Sequence, residues 1–536
     1  MRYHLLSNKE YMFEVITGTR NEHRLVDIIA RILKEYVDEV KLVETPVSSW
    51  EEQECIIETE KHRIECRALP YTLPANIRSK YVFGEYLHGR IALSGEPGNK
   101  LVVIPFPDEP DDAKYVVLSL YTRGTAGVIF YDMIPGRYRR IVIVGDEDYS
   151  FTHGSPSPIP VVSIRKEDAM KLMKDTGTIN LVVKTSIHHN STGKTIVARM
   201  HGAGDKEIHV TAHHDHWFTG FSDNMIGVEL LLQFADLYGK KWNGPNLVLI
   251  SYTAEESGAP YYTSWYWSWG SRYLLELMNK TNELDKVIAN INLDAIYTRP
   301  LLVNGNPALL PCINEIAASY PLVYKGHDYA DFDSFSYTMK GIPALTLHSL
   351  PYMKHIYHTD LDDGREVLDK TITVSREILI KIVECVAKKK TALKDIASYL
   401  KSLIGDPIEP ELRSLIARIE MLDNVVRNMN TSIRIATQLL TRVTYMPILD
   451  GVFSSELLSD IIEAKKIVEN INKYIGGRVR LKVVDREQFI DASPTDYNLD
   501  ELRRAMDNAI RQRIIEYHKR LDKLISETLI KTQHIS

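Results

Sequence analysis

The chain has 536 residues, which at roughly 150 residues per domain predicts three or four domains. Hydrophobic residues at 44% and charged residues at 25% are ordinary globular values and exclude a disordered, collagen-like or purely coiled-coil chain. The 65 Lys and Arg against 71 Asp and Glu leave a net charge of −6, so overall charge draws the chain neither to nucleic acid nor to an anionic membrane.

The opening MRYHLLSNKEYMFEVITG lacks the basic-then-apolar order of a signal peptide, and no apolar run reaches the length of a membrane span. A cytoplasmic location with no membrane partner is expected. Residues 20–36, RNEHRLVDIIARILKEY, place Leu25, Ile28, Ile29, Ile32 and Leu33 at helical spacing. Extended stretches follow from KLVETPVSSW to about residue 70. Cys55 and Cys66 flank IIETEKHRIE, which reads as a hairpin able to bring the two thiols together. With Cys312 and Cys385 they are the only cysteines, too few for a disulfide scaffold and without the CxxC pairs of a thiolate zinc site. A cytosolic bridge is credible mainly in hyperthermophiles, a source toward which six Gln in 536 residues lean.

From about 78 to 184 the texture becomes short strands between Pro and Gly: HGRIALSG, KLVVIPF, AGVIFYD, RRIVIVGD and IPVVSI. From 185 to about 390, strands alternate with helices: IHVTAHHD, GVELLLQFADLYG, NLVLISYTA, SRYLLELMN, VIANINLD and IPALTLHS. That alternation predicts an α/β fold with a doubly wound, mostly parallel sheet. Beyond 390 helical periodicity takes over, as in Leu412, Leu415, Ile416, Ile419, Leu422 and Val426. The expected domains are therefore 1–77 as the N-terminal part of the α/β domain, 78–184 as a β-rich insertion, 185–390 as the main α/β domain and 391–536 as a helical domain. TGKT at 192–195 is not a phosphate loop, because His188 stands where the first Gly is required.

Chemistry-bearing residues gather where predicted strands end, the edge at which open α/β sheets bind ligands. One strand runs into His213, His214, Asp215 and His216, with Asp223 shortly after; the next ends in Glu255 and Glu256, a third in Asp294, and the last is followed by His358. A lone Asp or His at a strand end is usually a cap, and adjacent Glu residues usually a solvated helix face. His214 and His216 read as caps or as groups behind the ligands. Four such clusters in one domain point instead to metal. Two His and three carboxylates form a hard-to-borderline donor set suited to two divalent ions, zinc first and cobalt or manganese as alternatives. A carboxylate bridging ions roughly 3.5–4 Å apart lets them share a water and lower its pKa. One Glu of the pair then ligates while its neighbour moves the water's proton.

HxD with a later Asp, a Glu-Glu pair, NxD and YHT resemble the co-catalytic zinc metallopeptidases, which include bacterial aminopeptidases and glutamate carboxypeptidase II. The HHDHW and DN contexts are most similar to the glutamate carboxypeptidase and transferrin receptor branch, which also inserts a protease-associated domain and ends in a helical domain. GTAGVIFYD and IPVVSIRKEDAMKLM are similar to the protease-associated pattern. The resemblance implies His213, Asp223 and Asp294 on one zinc and Asp223, Glu256 and His358 on the other, with Asp223 bridging. It further implies Glu255 as general base and acid, Asp215 as acceptor of a hydrogen bond from His213, and Tyr357 as either an oxyanion donor or a packed aromatic. A peptide substrate and a homodimer through the helical domain are implied as well.

The sequence departs from the family at APYYTSWYWSW, residues 259–269, which reads either as the wall of an apolar pocket or as a loop packed on a neighbouring domain or subunit. No matching Arg, Asn and Lys set for a terminal glutamate is found. The leading expectation is an exopeptidase, aminopeptidase or carboxypeptidase. The alternatives are a transferrin receptor-like binding or scaffold protein and a single-zinc acyltransferase like the glutaminyl cyclases.

Overall fold

The computed structural model describes residues 3–87, 90–144 and 154–388 except 176, 264 and 329, and beyond these only 417, 479–481, 490–492 and 504. The helical domain expected over 391–536, with its dimer surface, thus lies outside the described residues; within that stretch Val479–Leu481 and Ile490–Ala492 pair antiparallel. The chain divides into two compact units: Met1–Gly305, Pro311–Tyr337 and Ala344–Lys390 form one, and Asn306–Leu310, Thr338–Pro343 and Thr391–Ser536 the other. Both large sheets belong to the first.

Thr19 starts the first helix, α1 (Arg20–Leu33), by accepting the Glu22 N–H on its side chain, and Leu25, Ile28, Ile29 and Leu33 form the helix's buried face. Strand β1 (Glu39–Glu58) turns back into β2 (Arg63–Glu65), and a Cys55–Cys66 disulfide closes the hairpin. The chain continues through β3 (Arg67–Ala68), β4 (Ala75–Ser79), β5 (Tyr81–Leu87), β6 (Arg90–Leu93), β7 (Leu101–Pro105), α2 (Ala113–Thr122), β8 (Gly127–Tyr131), β9 (Val161–Ile164) and α3 (Lys166–Met173). Of these, β3, β9, β8, β7, β5 and β6, in that spatial order, make a separate six-stranded sheet, while β4 pairs with the main sheet.

The chain returns as β10 (Ile179–Met200), antiparallel to β1 from Glu39↔Arg199 to Glu58↔Asn180. There follow β11 (Glu207–His213), α4 (Ile226–Tyr238), β12 (Asn246–Tyr252), α5 (Trp269–Lys280), β13 (Val287–Leu293), β14 (Leu301–Gly305), α6 (Leu310–Ala317), β15 (Leu322–Gly326), α7 (Ser334–Met339), β16 (Ala344–His348) and α8 (Asp369–Lys388). The main sheet runs β15-β14-β16-β13-β11-β12-β10-β1-β2. Its centre, β16, β13, β11 and β12, is parallel, and antiparallel β14 and β10 flank it. The expected α/β class with a parallel central sheet is therefore present.

Three details differ from expectation. The borders at 77/78 and 184/185 fall inside β4 and β10, both strands of the main sheet; β1 is long enough to pair β10 straight through the polar HHNSTGK stretch. The described part of RRIVIVGD, residues 139–144, is not a ladder strand: Ile141, Val142, Ile143 and Val144 are buried, and among the described residues isolated bridges at Arg139 and Val144 join it to others. An apolar run signals burial, and a crossing strap is buried as fully as a strand. Finally, Cys312 and Cys385 also form a disulfide, tying α6 to α8. Two bridges using all four cysteines suit an oxidising compartment or a hyperthermophile cytosol. Among the described residues no helix is long and apolar enough to cross a membrane.

Candidate metal centre

The parallel strands deliver their ends to one edge of the sheet. His213 closes β11, Glu255 and Glu256 follow β12, Asp294 follows β13, and the loop after β16 supplies His358. Asp223 lies just ahead of α4, beside Gly220, where an added Cβ would come within 2.4 Å of His216 and 2.6 Å of the Asp223 carbonyl. Gly270 lets α5 approach equally closely, since a Cβ there would sit 1.9 Å from the Thr253 carbonyl. Ala254, Ala295 and His358 hold positive φ of 55°, 46° and 54°, immediately before Glu255, immediately after Asp294 and at the imidazole itself. Such backbone persists only where the surroundings over-determine it, and functional sites are where it clusters.

Two triads result, His213–Asp223–Asp294 and Asp223–Glu256–His358, each with its donor atoms within 4.8 Å of one another. His213 Nε2 lies 3.3 Å from both Asp223 Oδ1 and Asp294 Oδ1. On the other side, His358 Nε2 lies 2.9 Å from Glu256 Oε2 and 3.6 Å from Asp223 Oδ2. Asp223 therefore turns one oxygen to each triad. Asp362 holds it there by accepting the Ser222 and Asp223 N–H groups at 2.9 and 3.1 Å.

Asp215 does not do what was expected of it. Its carboxylate stands 3.9 Å from His213 Nδ1, and the ring donates instead to the Asp215 backbone carbonyl at 2.9 Å. The ring is still oriented, with Nε2 turned to Asp223 and Asp294. The carboxylate is occupied elsewhere: it accepts the Glu255 and Glu256 N–H groups at 3.1 and 3.0 Å and the Thr17 hydroxyl at 2.9 Å. It thus shapes the turn carrying the Glu pair. Ser268 donates to Glu255 Oε1 at 3.2 Å, and Trp217 Nε1 to Glu256 Oε2 at 2.9 Å. Tyr357 stacks on the His358 ring with centroids 3.7 Å apart.

His214 and His216 lie outside both triads. His214 faces Ser251 and Glu22, and His216 faces the His214 and Phe13 carbonyls. Within the described residues of 259–269, Tyr261 is exposed and the other aromatic side chains are buried or half-buried. Trp265 is buried under the Arg272 guanidinium, Trp267 donates to the Ala330 carbonyl, and Tyr262 meets Tyr71 edge-on.

Burial, reinforced by neighbouring carboxylates, drives Glu255 and Glu256 well above the usual carboxylate range. Burial disfavours charge on His213, yet Asp294, Glu255 and Asp223 outweigh it and push the imidazole well upward. Asp223 moves the other way, drawn down against burial by His213 and His358. Such a surplus of buried negative charge is stabilised by cations. The donor set of two imidazoles and three carboxylates, with Glu256 Oε1 buried and unpartnered, fits divalent metal.

Thr17, Trp217, Ser268 and Asp362 escaped the sequence reading. Only Trp217, inside the HHDHW context, carried any signal.

Residues 195–383 match the sequence profile of Peptidase family M28. Among solved structures the chain is similar to BSAP, a zinc aminopeptidase from Bacillus subtilis, at 18% identity and a TM-score of 0.54, covering 72% of this chain and 95% of that one. It is also similar to a Peptidase M28 precursor from Shewanella amazonensis SB2B, at 16% identity and a TM-score of 0.60, covering 72% and 93%. Likeness at these identities speaks for the fold. No curated protein matches significantly. The profile match spans the strands and loops that carry both triads, and the chain is a metallopeptidase.

Proposed function

We propose that the chain is a zinc-dependent exopeptidase working with two ions and trimming peptides from the amino end. The observation carrying this reading is the pair of triads that share Asp223. His213 and Asp294 would complete one metal position, and Glu256 and His358 the other. When bound, the ions would supply Lewis acidity toward the scissile carbonyl and lower the pKa of a water toward neutrality. Glu255, steadied by Ser268, takes that water's proton and passes it to the leaving amine. Tyr357 is proposed as a donor to the carbonyl oxygen as charge develops there; burial holds its hydroxyl well above the usual phenol value, so it keeps its proton.

The charge around the site supports an amino-end substrate. Asp294, Glu255 and the buried Asp333 face one another electrostatically, an environment for a substrate ammonium. The guanidinium groups of Arg139 and Arg140, whose backbone runs beside the His358 loop, are engaged by Asp132, Glu14, Glu52 and backbone carbonyls, and that of Arg165 by Asp360, rather than turned to a free carboxylate. The six-stranded sheet is read as a protease-associated domain, and a homodimer through residues beyond 390 remains part of the proposal.

The test is mass spectrometry of a mixed peptide pool incubated with zinc- or cobalt-loaded protein. Ladders shortened from the amino end are expected. Chelated protein should give none, and Glu255→Gln should keep its metal while turning over about 10²–10⁴-fold more slowly. Ladders from the carboxyl end would overturn the terminus assigned, and no metal-dependent cleavage would favour the binding-protein alternative.

A further inference from the structure

The two metal-facing histidines are held in different ways. His213 is anchored through its own ring, because Nδ1 donates to a backbone carbonyl. His358 has no such anchor: its Nδ1 is buried without a hydrogen-bond partner, and its φ of 54° is one that a side-chain-bearing residue keeps only under restraint. Ligating imidazoles are ordinarily oriented by a partner on the second ring nitrogen. Something else must aim this ring.

That restraint comes from the strap following β8 of the six-stranded sheet. Residues 138–140 run antiparallel to the His358 loop, with a bridge at Arg139↔Thr359. Arg140 N–H donates to the His358 carbonyl at 2.9 Å, and Tyr138 N–H to Asp360 Oδ1 at 2.8 Å. The buried Arg139 guanidinium donates to the Tyr357 carbonyl and, at 3.4 Å, to that of Lys354. Behind the loop Arg139 is itself fixed. Its Nε donates to Asp132 Oδ2 at 3.0 Å, and its backbone N–H donates to Ser163 Oγ on β9 at 3.1 Å. Arg140 is moored to Glu14 and Glu52 at 2.8 and 3.0 Å. Strap and loop are over 200 residues apart in sequence.

We infer that the six-stranded sheet builds one of the two metal positions, its strap residues Arg139 and Arg140 clamping the backbone around His358 so that the imidazole is aimed at Asp223 and Glu256. Both arginines are positioning residues. The ion held by His213 and Asp294 owes nothing to them, since that ligand set is anchored within the main sheet. Because the inference rests on the two-ion reading, its test counts ions before it compares variants.

The full-length chain, stripped with chelator, is titrated with Co2+ by calorimetry and visible absorption. The wild type is expected to show two binding events, one abolished by His358→Ala and the other by His213→Ala. In Arg139→Gln and Arg139→Lys the event abolished by His358→Ala should weaken by about 10–100-fold, the usual cost of losing support behind a ligand, while the other is unchanged. Lys retains the charge opposite Asp132 and with it the fold, but has no planar fork to reach Asp132 and two carbonyls together. A merely structural role for Arg139 would lower thermal stability and leave both affinities alone, or weaken both equally; either result overturns the inference while the two-ion reading stands. A wild type binding fewer than two ions removes both.

Discussion

The two sheets share a parallel centre buried on both faces, and they differ in how many polar groups they bury among the apolar ones. In the six-stranded sheet β7, β8 and β9 bury Leu101, Val103, Ile104, Val128, Phe130, Val161 and Ile164, the apolar runs such strands are expected to show. In the main sheet β11, β13 and β16 bury a ladder of polar side chains. Asn290 donates to Thr211 at 3.0 Å, Thr211 to Asn292 at 2.8 Å, and Asn292 to Thr346 at 3.2 Å; Ser334 meets Thr346 at 2.6 Å. Alongside, Glu207, His209, Tyr337 and Tyr252 form a second chain of hydrogen bonds. Apolar strands pack acceptably in several registers. A buried polar ladder is satisfied in only one, and each unpaired group in any other costs about 1–3 kcal/mol. The polar sheet is the one whose strand ends carry the ligands, so its ladder fixes the register on which their convergence depends.

The largest break in this comparison is expected in the apolar sheet. Phe130 is fully buried and stacks on Phe106 with centroids 4.7 Å apart. Phe130→Ala should cost about 3–5 kcal/mol by chemical denaturation, because a cavity joins the lost transfer energy. A cost near that of a surface change would mean that this sheet's packing is not what holds it. The polar sheet should respond less to a single change. Asn292→Ala takes from Thr211 its acceptor and from Thr346 one donor, at about 1–3 kcal/mol. Replacing the ladder whole, Asn290→Leu and Thr211→Val with Asn292→Leu and Thr346→Val, should cost less than the four single changes summed, since each donor goes together with its acceptor and Ser334 keeps Asp328. Simple additivity would show that the ladder is not a coupled unit.

The same contrast explains what could be read from the sequence. LVVIP and GVIFY announce themselves as strands because apolar content and turn residues are local properties. The strand-end positions of His213, Glu255, Glu256 and Asp294 are equally visible, since each is local to its own strand and their joint occurrence exceeds what caps account for. Partners are not visible. Nothing in RRIVIVGD says that Arg139 will meet Tyr357, and nothing near Asp362 says that it will hold the Asp223 amide. The Cys312–Cys385 bridge spans 73 residues with no pattern to mark it. HHNSTGK is polar in composition, yet it is strand because β1 lies opposite it at Val47↔Ser191 and Thr45↔Gly193. The resemblance implies the Asp215 carboxylate as partner of the His213 ring, whereas in the fold that carboxylate is taken by the Glu255 and Glu256 amides and the ring meets the Asp215 carbonyl.

The smallest expected effect lies at the seam between the sheets, where buried Arg140 joins Glu14 of the N-terminal segment to Glu52 of β1. Burial alone would raise the Glu14 pKa, but the Arg140 guanidinium outweighs it and holds the carboxyl below its ordinary value of 4.5. A carboxyl whose folded pKa is depressed stabilises the fold above its unfolded pKa, and that contribution is lost as pH falls through the folded value. Glu14→Gln should therefore lower stability at pH 7 by about 1 kcal/mol, since Glu52 still satisfies part of the guanidinium. The gap between variant and wild type should close only below pH 4.5, measured by denaturation at a series of pH values. A gap that persists unchanged into strong acid would assign Glu14 a packing role instead, and would leave Glu52 and the Ala68 carbonyl as the groups that keep Arg140 charged and the strap in place.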